Sequence, residues 1–296
     1  MWLVTGGAGY IGSHVVRALQ ADGQRVVVVD DLTTGIAERV PSNVQLEVFS
    51  VLDTASLAKV MHDLKVTGVV HLAAKKAAGE SVHVPVDYHQ ENTGGVISLL
   101  AAMQSAGVRQ LVYSSSAAVY GEPVDDNPLT EDSPTTPTNP YGSSKLIGEL
   151  MIRDAAPALK LSWAALRYFN VAGAGEDALS DTSANNLIPM LLRARVAGRP
   201  AKIFGDDYPT PDGTCIRDYI HVADLADAHV VAAARCEGET IGTAYNVGRG
   251  QGVSVLEVMA MVSEVIGRDV HAEVAPRRPG DPAQLVALAD KIRSDL

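Results

Sequence analysis

The feature that most constrains the fold of this chain is a glycine-rich turn between an apolar strand and a helix. Residues 3–14 read LVTGGAGYIGSH, so Gly6, Gly9 and Gly12 are spaced three residues apart. Glycines at this spacing permit a tight turn and a close approach of the backbone to a phosphate, and the helix N-terminus attracts its charge. An ordinary glycine-rich turn is the alternative. The order strand, turn and helix favours a site for a dinucleotide.

Short β-branched runs alternate with amphipathic stretches through the first half of the chain. We predict helices over residues 11–22 and 93–106. The predicted strands between them are residues 2–5, 25–30, 45–49, 68–72 and 110–115. This alternation is typical of a doubly wound parallel sheet, so we predict an α/β fold of the Rossmann-like type.

The alternation becomes looser in the second half, where loop-rich segments occur. We therefore predict a Rossmann domain over residues 1–168 and a smaller substrate-binding lobe over residues 169–296. Residues around 216–236 are expected to return to the first domain. The C-terminal end reads as a truncated helix.

Composition excludes several classes of partner. The formal net charge of −11 argues against nucleic acid, because binding of a polyanion requires a basic face. The chain has no apolar run of roughly 20 residues, so we expect no membrane segment. Cys215 and Cys236 could pair, but a chain with an ample core does not need a disulfide. We therefore expect a cytoplasmic protein, and we predict no metal site.

An acidic residue ends the second predicted strand. Asp30 follows the run Arg-Val-Val-Val-Val, where its carboxylate could accept hydrogen bonds from both ribose hydroxyls of an adenosine. The same charge would repel a 2′-phosphate, which favours NAD over NADP. The alternative is that Asp30 only caps a helix or shapes a turn.

A tyrosine and a lysine are spaced to share one helix face. Tyr141 and Lys145 stand at i and i+4 in a helix predicted to begin just after Pro140. A phenolate at neutral pH requires a pKa roughly 3 units below its usual value, which an ammonium and an oxidised nicotinamide can supply. Ser116, after the fifth strand, is a candidate to hold a substrate oxygen beside Tyr141. An ordinary amphipathic helix start is the alternative.

Longer motifs make a family resemblance specific. These are TGGAGYIGSH (5–14), SSSAAVYG (114–121), NPYGSSK (139–145), LRYFN (166–170) and FGDDYPTPDGTCIRDYIH (204–221). Together with the rest of the chain they resemble the UDP-glucose 4-epimerases of the extended short-chain dehydrogenase/reductase type. The resemblance implies a catalytic set of Ser116, Tyr141 and Lys145.

The resemblance also implies two sets of binding residues. The cofactor-binding set is Gly6, Gly9, Tyr10, Ile11, Gly12, Asp30, Leu72, Ala73, Lys76, Asn92, Ser114, Tyr141, Lys145 and Phe169. The substrate-binding set is Ser116, Asn170, Asn186, Leu187, Phe204, Arg217, Tyr219, Arg278 and Asp281. Arg217 and Arg278 could clamp a diphosphate, although each arginine alone could equally be a solvated surface residue.

The activity implied by the resemblance is inversion of carbon 4 of a UDP-hexose through a transient 4-keto sugar. Tyr141 would remove the proton from the 4-hydroxyl, and hydride would pass to NAD and return on the other face. The implied assembly is a homodimer, built from the helices over 93–106 and 141–153 as a four-helix bundle.

The chain departs from the family pattern at two places. Where the family has Gly-Asp-Ile or Gly-Asp-Val, whose acid binds adenine, this chain has Ser50-Val51-Leu52, so Val51 stands at the position of the acid. Asp53 could substitute only if the loop shifts its register. Leu285 stands where the family has a bulky tyrosine beside the 2-position of the sugar. We hypothesise that UDP-N-acetylhexosamines are therefore accepted, the alternative being that Leu285 only packs the core of the lobe.

Other activities remain as alternatives. Sugar-nucleotide dehydratases carry Asp-Glu, and decarboxylases a glutamate, just after the strand-end hydroxyl. Here those positions are Ala117 and Ala118, which cannot transfer protons. A non-catalytic NAD-binding protein would not need the intact set of Ser116, Tyr141 and Lys145.

Overall fold

The computed structural model describes residues 1–125, 127–183, 186–278 and 281–296. Its helices are α1 (Tyr10–Ala21), α2 (Thr54–Asp63), α3 (Ala78–Ser81), α4 (Pro85–Tyr88), α5 (Gly94–Ala106), α6 (Pro140–Leu159), α7 (Leu187–Val196), α8 (Val222–Gly238), α9 (Val255–Ile266) and α10 (Asp290–Asp295). Its strands are β1 (Trp2–Thr5), β2 (Val26–Asp30), β3 (Gln45–Val48), β4 (Gly68–His71), β5 (Gln110–Ser114), β6 (Ser162–Tyr168), β7 (Asn170–Ala172), β8 (Ala201–Phe204), β9 (Ile216–His221), β10 (Gly242–Val247), β11 (Gly252–Ser254), β12 (Ala272–Ala275) and β13 (Gln284–Leu285).

A parallel sheet forms the centre of the molecule. Within the described residues it contains seven strands in the order β10-β6-β5-β4-β1-β2-β3, here called the main sheet. Strand β2 has four consecutive valines before Asp30 and is buried throughout, as expected of a parallel strand covered on both faces. The predicted doubly wound α/β fold is confirmed.

Helices cover both faces of the main sheet. Helices α1 and α8 pack on one face, around a core that includes Val15, Leu19 and Leu225. Helices α2, α5 and α6 pack on the other face, around a core that includes Leu57 and Leu99. Strands β5 and β1 lie near the centre of the main sheet. Their carboxyl ends therefore lie in the middle of the C-terminal side of the sheet, where ligands of such folds bind.

The predicted elements of the first half are present, with bounds that differ by one residue. Strand β5 ends at Ser114, one residue before the predicted end, because the Ser115 N–H turns back to the Tyr113 carbonyl (3.0 Å). Helix α1 begins at Tyr10 and not at Ile11. Helix α6 begins at Pro140, and the Asn139 side chain caps it by accepting from the Gly142 N–H (2.9 Å).

The second half of the chain contributes to two separate parts. Strands β7, β9, β11 and β13 form a small sheet, and β8 pairs with β12 beside α7 and α9. Helix α8 packs on the main sheet, and β10, which the predicted division places in the lobe, is the edge strand beside β6. The division of the chain at residues 168 and 169 remains a proposal.

Two general properties of the chain follow from the described residues. None of the helices among them is long and apolar enough to cross a membrane. Cys215 and Cys236 are both buried and unpaired.

Candidate active site

The glycine-rich turn between β1 and α1 leaves no space for side chains. Gly6 has a φ of +73°, and a Cβ there would lie 2.7 Å from the Ala73 nitrogen. A Cβ on Gly12 would lie 2.1 Å from the Gly6 carbonyl oxygen. The turn therefore brings bare backbone to the N-terminus of α1, where the first amide groups of the helix can receive an anion. Gly9 precedes the helix as its cap residue, while Tyr10 and Ile11 begin it.

Asp30 ends β2 beside this turn. Its carboxylate accepts hydrogen bonds from the N–H groups of Ala8 (3.0 Å) and Leu32 (2.9 Å). Burial raises the pKa of Asp30, and these two bonds oppose the rise. Both readings of this residue are thus compatible with the structure, because the carboxylate shapes the turn and also lies at the end of the strand.

The three residues of the expected catalytic set are close together at the carboxyl end of β5. Ser116 follows the strand, and its side chain forms a hydrogen bond with Tyr141 on the first turn of α6. The Lys145 ammonium donates to the Ser114 carbonyl (2.8 Å) and lies over the Tyr113 ring. All three residues are more than nine-tenths buried, so they form one enclosed cluster.

Burial dominates the electrostatics of this cluster. Burial raises the pKa of Tyr141, and the hydrogen bond with Ser116 only partly opposes the rise. Burial lowers the pKa of Lys145 to about 7, against the attraction of Glu149. The protein groups alone therefore do not lower the pKa of the phenol.

Asn92 connects two parts of the site. It lies in a π-helical turn, His89–Thr93, between α4 and α5. Its side-chain oxygen accepts from the Lys75 N–H (2.8 Å), and its amide group donates to the Lys75 carbonyl (3.0 Å) and to Ser144 (2.9 Å). Asn92 thus ties the segment after β4 to α6, whether or not it also touches a ligand.

Further residues of the expected cofactor set surround these groups. Leu72 and Ala73 line the space beside Gly6, and Lys76 is exposed nearby. The Ser114 hydroxyl donates to Tyr168 (2.9 Å), and Phe169 is buried against Ala117.

Most of the expected substrate residues lie in the small sheet or beside it. Asn170 pairs in register with Tyr219, and their side chains form a hydrogen bond. The guanidinium of Arg217 forms a salt bridge with Asp281, so its positive charge is already partly balanced. The Arg278 guanidinium stacks over the Phe204 ring, 3.8 Å from its centroid.

Two expected residues lie at the start of α7. Asn186 precedes the helix, and its amide donates to Asp181. Leu187, the next residue, packs against the core between α7 and α9. Asn186 is thus part of the loop between β7 and α7, while Leu187 also has a structural role.

Leu285 has a position that fits both readings proposed for it. It pairs in register with Arg217 through β13 and β9. Its side chain packs against a cluster that contains Phe169 and Ala117, the residue after Ser116. It is therefore partly buried in the lobe and close to the candidate site.

The loop after β3 does not place position 51 where an acid could bind adenine. Val51 is buried in the core beneath α5, so it does not face a ligand site, because its neighbours there are apolar side chains. Asp53 caps α2 by accepting from the Ser56 N–H (3.0 Å), so it does not replace the missing acid. Ser50, which is half-buried two residues after the strand, is the position in this loop that best fits the expected role.

The sequence analysis missed a buried ion pair behind the catalytic cluster. Glu149 follows Lys145 by one helical turn and binds Arg167 through both carboxylate oxygens. The pattern Tyr-x-x-x-Lys-x-x-x-Glu, which places three polar groups on one helix face, was the signal available. The partner arginine lies on another element, so the sequence pattern does not identify it.

Comparisons with known proteins agree with this geometry. A model of the NAD dependent epimerase/dehydratase family matches residues 2–248. A UDP-glucose 4-epimerase of Azospirillum brasilense is 49% identical over 298 residues, which covers 99% of this chain and 85% of that protein. The chain belongs to the UDP-glucose 4-epimerase family. The resemblance stated from its motifs is confirmed.

Solved structures of this family share the fold. A UDP-glucose 4-epimerase of Stenotrophomonas maltophila, solved with NAD and formylated UDP-arabinopyranose, superposes with a TM-score of 0.94 at 40% identity. The match covers 100% of this chain and 91% of that one. A UDP-Glc/GlcNAc 4-epimerase of Campylobacter jejuni superposes with a TM-score of 0.86 at 38% identity, covering 99% and 92% of the two chains.

Proposed function

We propose that this chain is an NAD-dependent isomerase that inverts carbon 4 of a UDP-hexose and interconverts UDP-glucose and UDP-galactose. The observation that carries the proposal is the buried cluster of Ser116, Tyr141 and Lys145, which lies at the sheet edge where the glycine-rich turn also opens. Its family membership supports the same reaction.

The residues of the glycine-rich turn fit the cofactor. Side chains at Gly6 and Gly12 would collide with backbone atoms, and the space they leave can receive a pyrophosphate at the N-terminus of α1. Asp30, at the end of β2, suits the ribose hydroxyls of adenosine and disfavours a 2′-phosphate. NAD, when bound, supplies a hydride acceptor and donor beside the sugar.

Each catalytic side chain has a different task in the proton transfer. The Tyr141 oxygen takes the proton of the 4-hydroxyl, and the Ser116 hydroxyl holds the same substrate oxygen by a hydrogen bond. The Lys145 ammonium favours the ionised form of the phenol by its positive charge. Loss of the hydride from carbon 4 to the bound nicotinamide would complete this half and leave a 4-keto sugar. After the sugar has turned, the hydride would return to the opposite face of carbon 4 while the Tyr141 phenol gives the proton back to the same oxygen.

The neighbouring side chains favour epimerisation over elimination. Ala117 and Ala118 occupy the turn after Ser116, and neither can act as an acid or a base. The substrate side can hold the UDP portion through Arg217 and Arg278, with Asn170 and Tyr219 beside them. Retention of the nucleotide keeps the reactive ketone in the site.

The test is NMR of the purified protein with UDP-galactose and no added cofactor. We expect UDP-glucose to accumulate until both sugars reach equilibrium, because the NAD is regenerated in each turnover. Loss of UDP-galactose without UDP-glucose, or appearance of a dehydrated or decarboxylated sugar, would contradict the proposal. The absence of any conversion after NAD is added would favour a binding protein.

We also propose that N-acetylated UDP-hexoses are accepted. Leu285 has no ring and no hydroxyl, and it packs beside Ala117 and Phe169, close to Ser116. A wall with a smaller side chain there leaves space for an acetamido group. An epimerase of this fold that is described as acting on both UDP-Glc and GlcNAc forms supports the idea.

The proposed assembly is a homodimer in the cytoplasm. Helices α5 and α6 pack against each other and expose Ile97 (56%) and Leu150 (38%). Leu52, also exposed, lies against Gly94 at the start of α5. A second copy of these two helices would cover the apolar side chains in a four-helix bundle. Two buried, unpaired thiols are compatible with a reducing compartment.

A further inference from the structure

The ion pair between Glu149 and Arg167 is almost completely enclosed. The two side chains are 8% and 9% exposed. Arg167 donates from Nη2 to one carboxylate oxygen (2.7 Å) and from Nε to both oxygens (3.0 and 3.2 Å). Such a pair adds little net stability compared with apolar residues, because both charges lose their hydration. Stability alone therefore does not account for this ion pair.

The ion pair connects four elements around the catalytic cluster. The Ser115 hydroxyl at the end of β5 donates to Glu149 of α6. Arg167 of β6 donates to the Tyr120 hydroxyl (3.0 Å), which donates to the Asn246 side-chain oxygen of β10 (2.6 Å).

Two bonds join the end of β5 to α6 at consecutive positions. Lys145 binds the carbonyl of Ser114, and Glu149, one turn further along the helix, binds the side chain of Ser115. Two attachments on successive turns fix both the translation and the rotation of a helix relative to a strand.

We propose that Glu149 is a positioning residue for the catalytic set, an inference that rests on the proposed epimerase function. Its carboxylate, oriented by Arg167, holds α6 in register with the end of β5. The Tyr141 hydroxyl, the Ser116 hydroxyl and the Lys145 ammonium then keep one fixed spacing.

The charge of Glu149 acts on Lys145 as well. The titratable groups that face the ammonium are Tyr141 and Glu149 from α6, Tyr113 from β5 and His71 from β4. Burial beside Lys145 lowers the pKa of His71 to about 3, so its ring is neutral. Glu149 is the anion that opposes the effect of burial on the pKa of Lys145.

The experiment compares three variants of the full chain loaded with NAD. Glu149→Gln removes the charge at nearly constant shape, and Glu149→Asp keeps the charge on a shorter side chain. Asp154→Asn is the matched control, because Asp154 lies on the same helix, is 70% exposed and binds only Arg153 among the contacts described.

We expect Glu149→Gln to lower kcat at pH 7 by about tenfold or more with a small change in KM, because the catalytic groups lose their alignment. The alkaline limb of its pH profile should move to lower pH by about one unit, because the ammonium loses a neighbouring anion. Glu149→Asp should keep the limb near that of the parent while kcat falls, and Asp154→Asn should match the parent in both.

A second measurement does not depend on turnover. The 13Cε resonance of Lys145 is titrated by NMR in the NAD-bound protein without sugar nucleotide, and its pKa should fall in Glu149→Gln and not in Asp154→Asn. Equal loss of activity at every pH together with an unchanged Lys145 titration would overturn the proposal. If the parent shows no epimerisation, the proposed function fails. The Lys145 titration then still shows whether the charge of Glu149 raises the pKa of Lys145.

Discussion

At the scale of single residues, the hydroxyl of Tyr141 lies in surroundings that oppose its ionisation. Burial raises its pKa, and the cause that lowers it is the hydrogen bond with Ser116. Lys145, which could stabilise a phenolate, itself has a pKa lowered to about 7 by burial. Tyr141 can therefore accept a proton at neutral pH only when further positive charge stands beside it. An oxidised nicotinamide is the group that would bring this charge.

The change Tyr141→Phe tests this role. We expect the variant to fold and to retain NAD, because the substitution removes one oxygen and little packing volume. Epimerisation of UDP-galactose should slow by about 10²–10⁴-fold, because the proton acceptor is lost. Tyr245→Phe, at a buried tyrosine of β10, is the control and should keep most of the activity. Near-normal turnover in Tyr141→Phe would remove this residue from the mechanism.

The change Leu285→Tyr tests the size of the sugar pocket. We expect the parent to accept UDP-N-acetylgalactosamine and the variant to prefer UDP-galactose, because the added ring would occupy the space of the acetamido group. Apolar size differences of this kind change discrimination by roughly 1–3 kcal/mol. The ratio of kcat/KM for the two sugars is the measurement. An unchanged ratio, or a parent without activity on the acetylated sugar, would show that Leu285 only packs the lobe.

At the scale of elements, the loop after β3 shows how adjacent positions can have opposite surroundings. Val51 contributes to the core beneath α5, and Ser50 before it is half-buried, two residues after the strand. The acid that our sequence analysis assigned to position 51 would therefore be enclosed among apolar side chains. A carboxylate at position 50 would lie closer to the sheet edge that opens to a ligand.

The paired changes Ser50→Asp and Val51→Asp test this assignment. Ser50→Asp should tighten NAD about fivefold, because one additional hydrogen bond is worth about 1 kcal/mol. Val51→Asp should instead lower the free energy of unfolding by about 3–5 kcal/mol, because it buries an unpaired charge. Calorimetric titration with NAD and thermal unfolding measure the two effects. Tighter binding in Val51→Asp would restore the original assignment.

The glycine-rich turn provides a test with a matched control. In Gly12→Ala the new methyl group would lie 2.1 Å from the Gly6 carbonyl oxygen, so the turn must open. We expect this variant to lose NAD during purification and to unfold at lower temperature. In Gly238→Ala the methyl group meets no atom within 4 Å, and NAD content and stability should not fall. Equal NAD content in the two variants would contradict the close approach at Gly12.

Local features of this site could be predicted from the sequence, and distant pairings could not. The glycine turn, the helix start beside Pro140 and the shared face of Tyr141 and Lys145 each depend on residues within a few positions of one another. Arg167 is 18 residues from Glu149 and on another element, so only the folded chain reveals their contact. The predicted division places β10 in the lobe for the same reason, since its partner β6 lies far away in sequence.

At the scale of the whole molecule, the exposed apolar side chains of α5 and α6 are the main indication of an assembly. Sedimentation should show a dimer of the parent at micromolar concentration. Ile97→Lys should shift it toward monomer, because a charge would enter the apolar centre of the interface. Val265→Lys, at an 86% exposed position of α9, is the control and should sediment like the parent. A monomeric parent would exclude the proposed four-helix bundle.

The position of β10 has a consequence for the emerging polypeptide on the ribosome. Strand β6 is complete once residue 168 has left the exit tunnel, but its outer edge has no neighbour until residues 242–247 follow. During that interval the unpaired N–H and C=O groups of β6 are open to pairing with other strands. We therefore expect chaperone occupancy on nascent chains to rise when β6 emerges and to fall after β10 emerges.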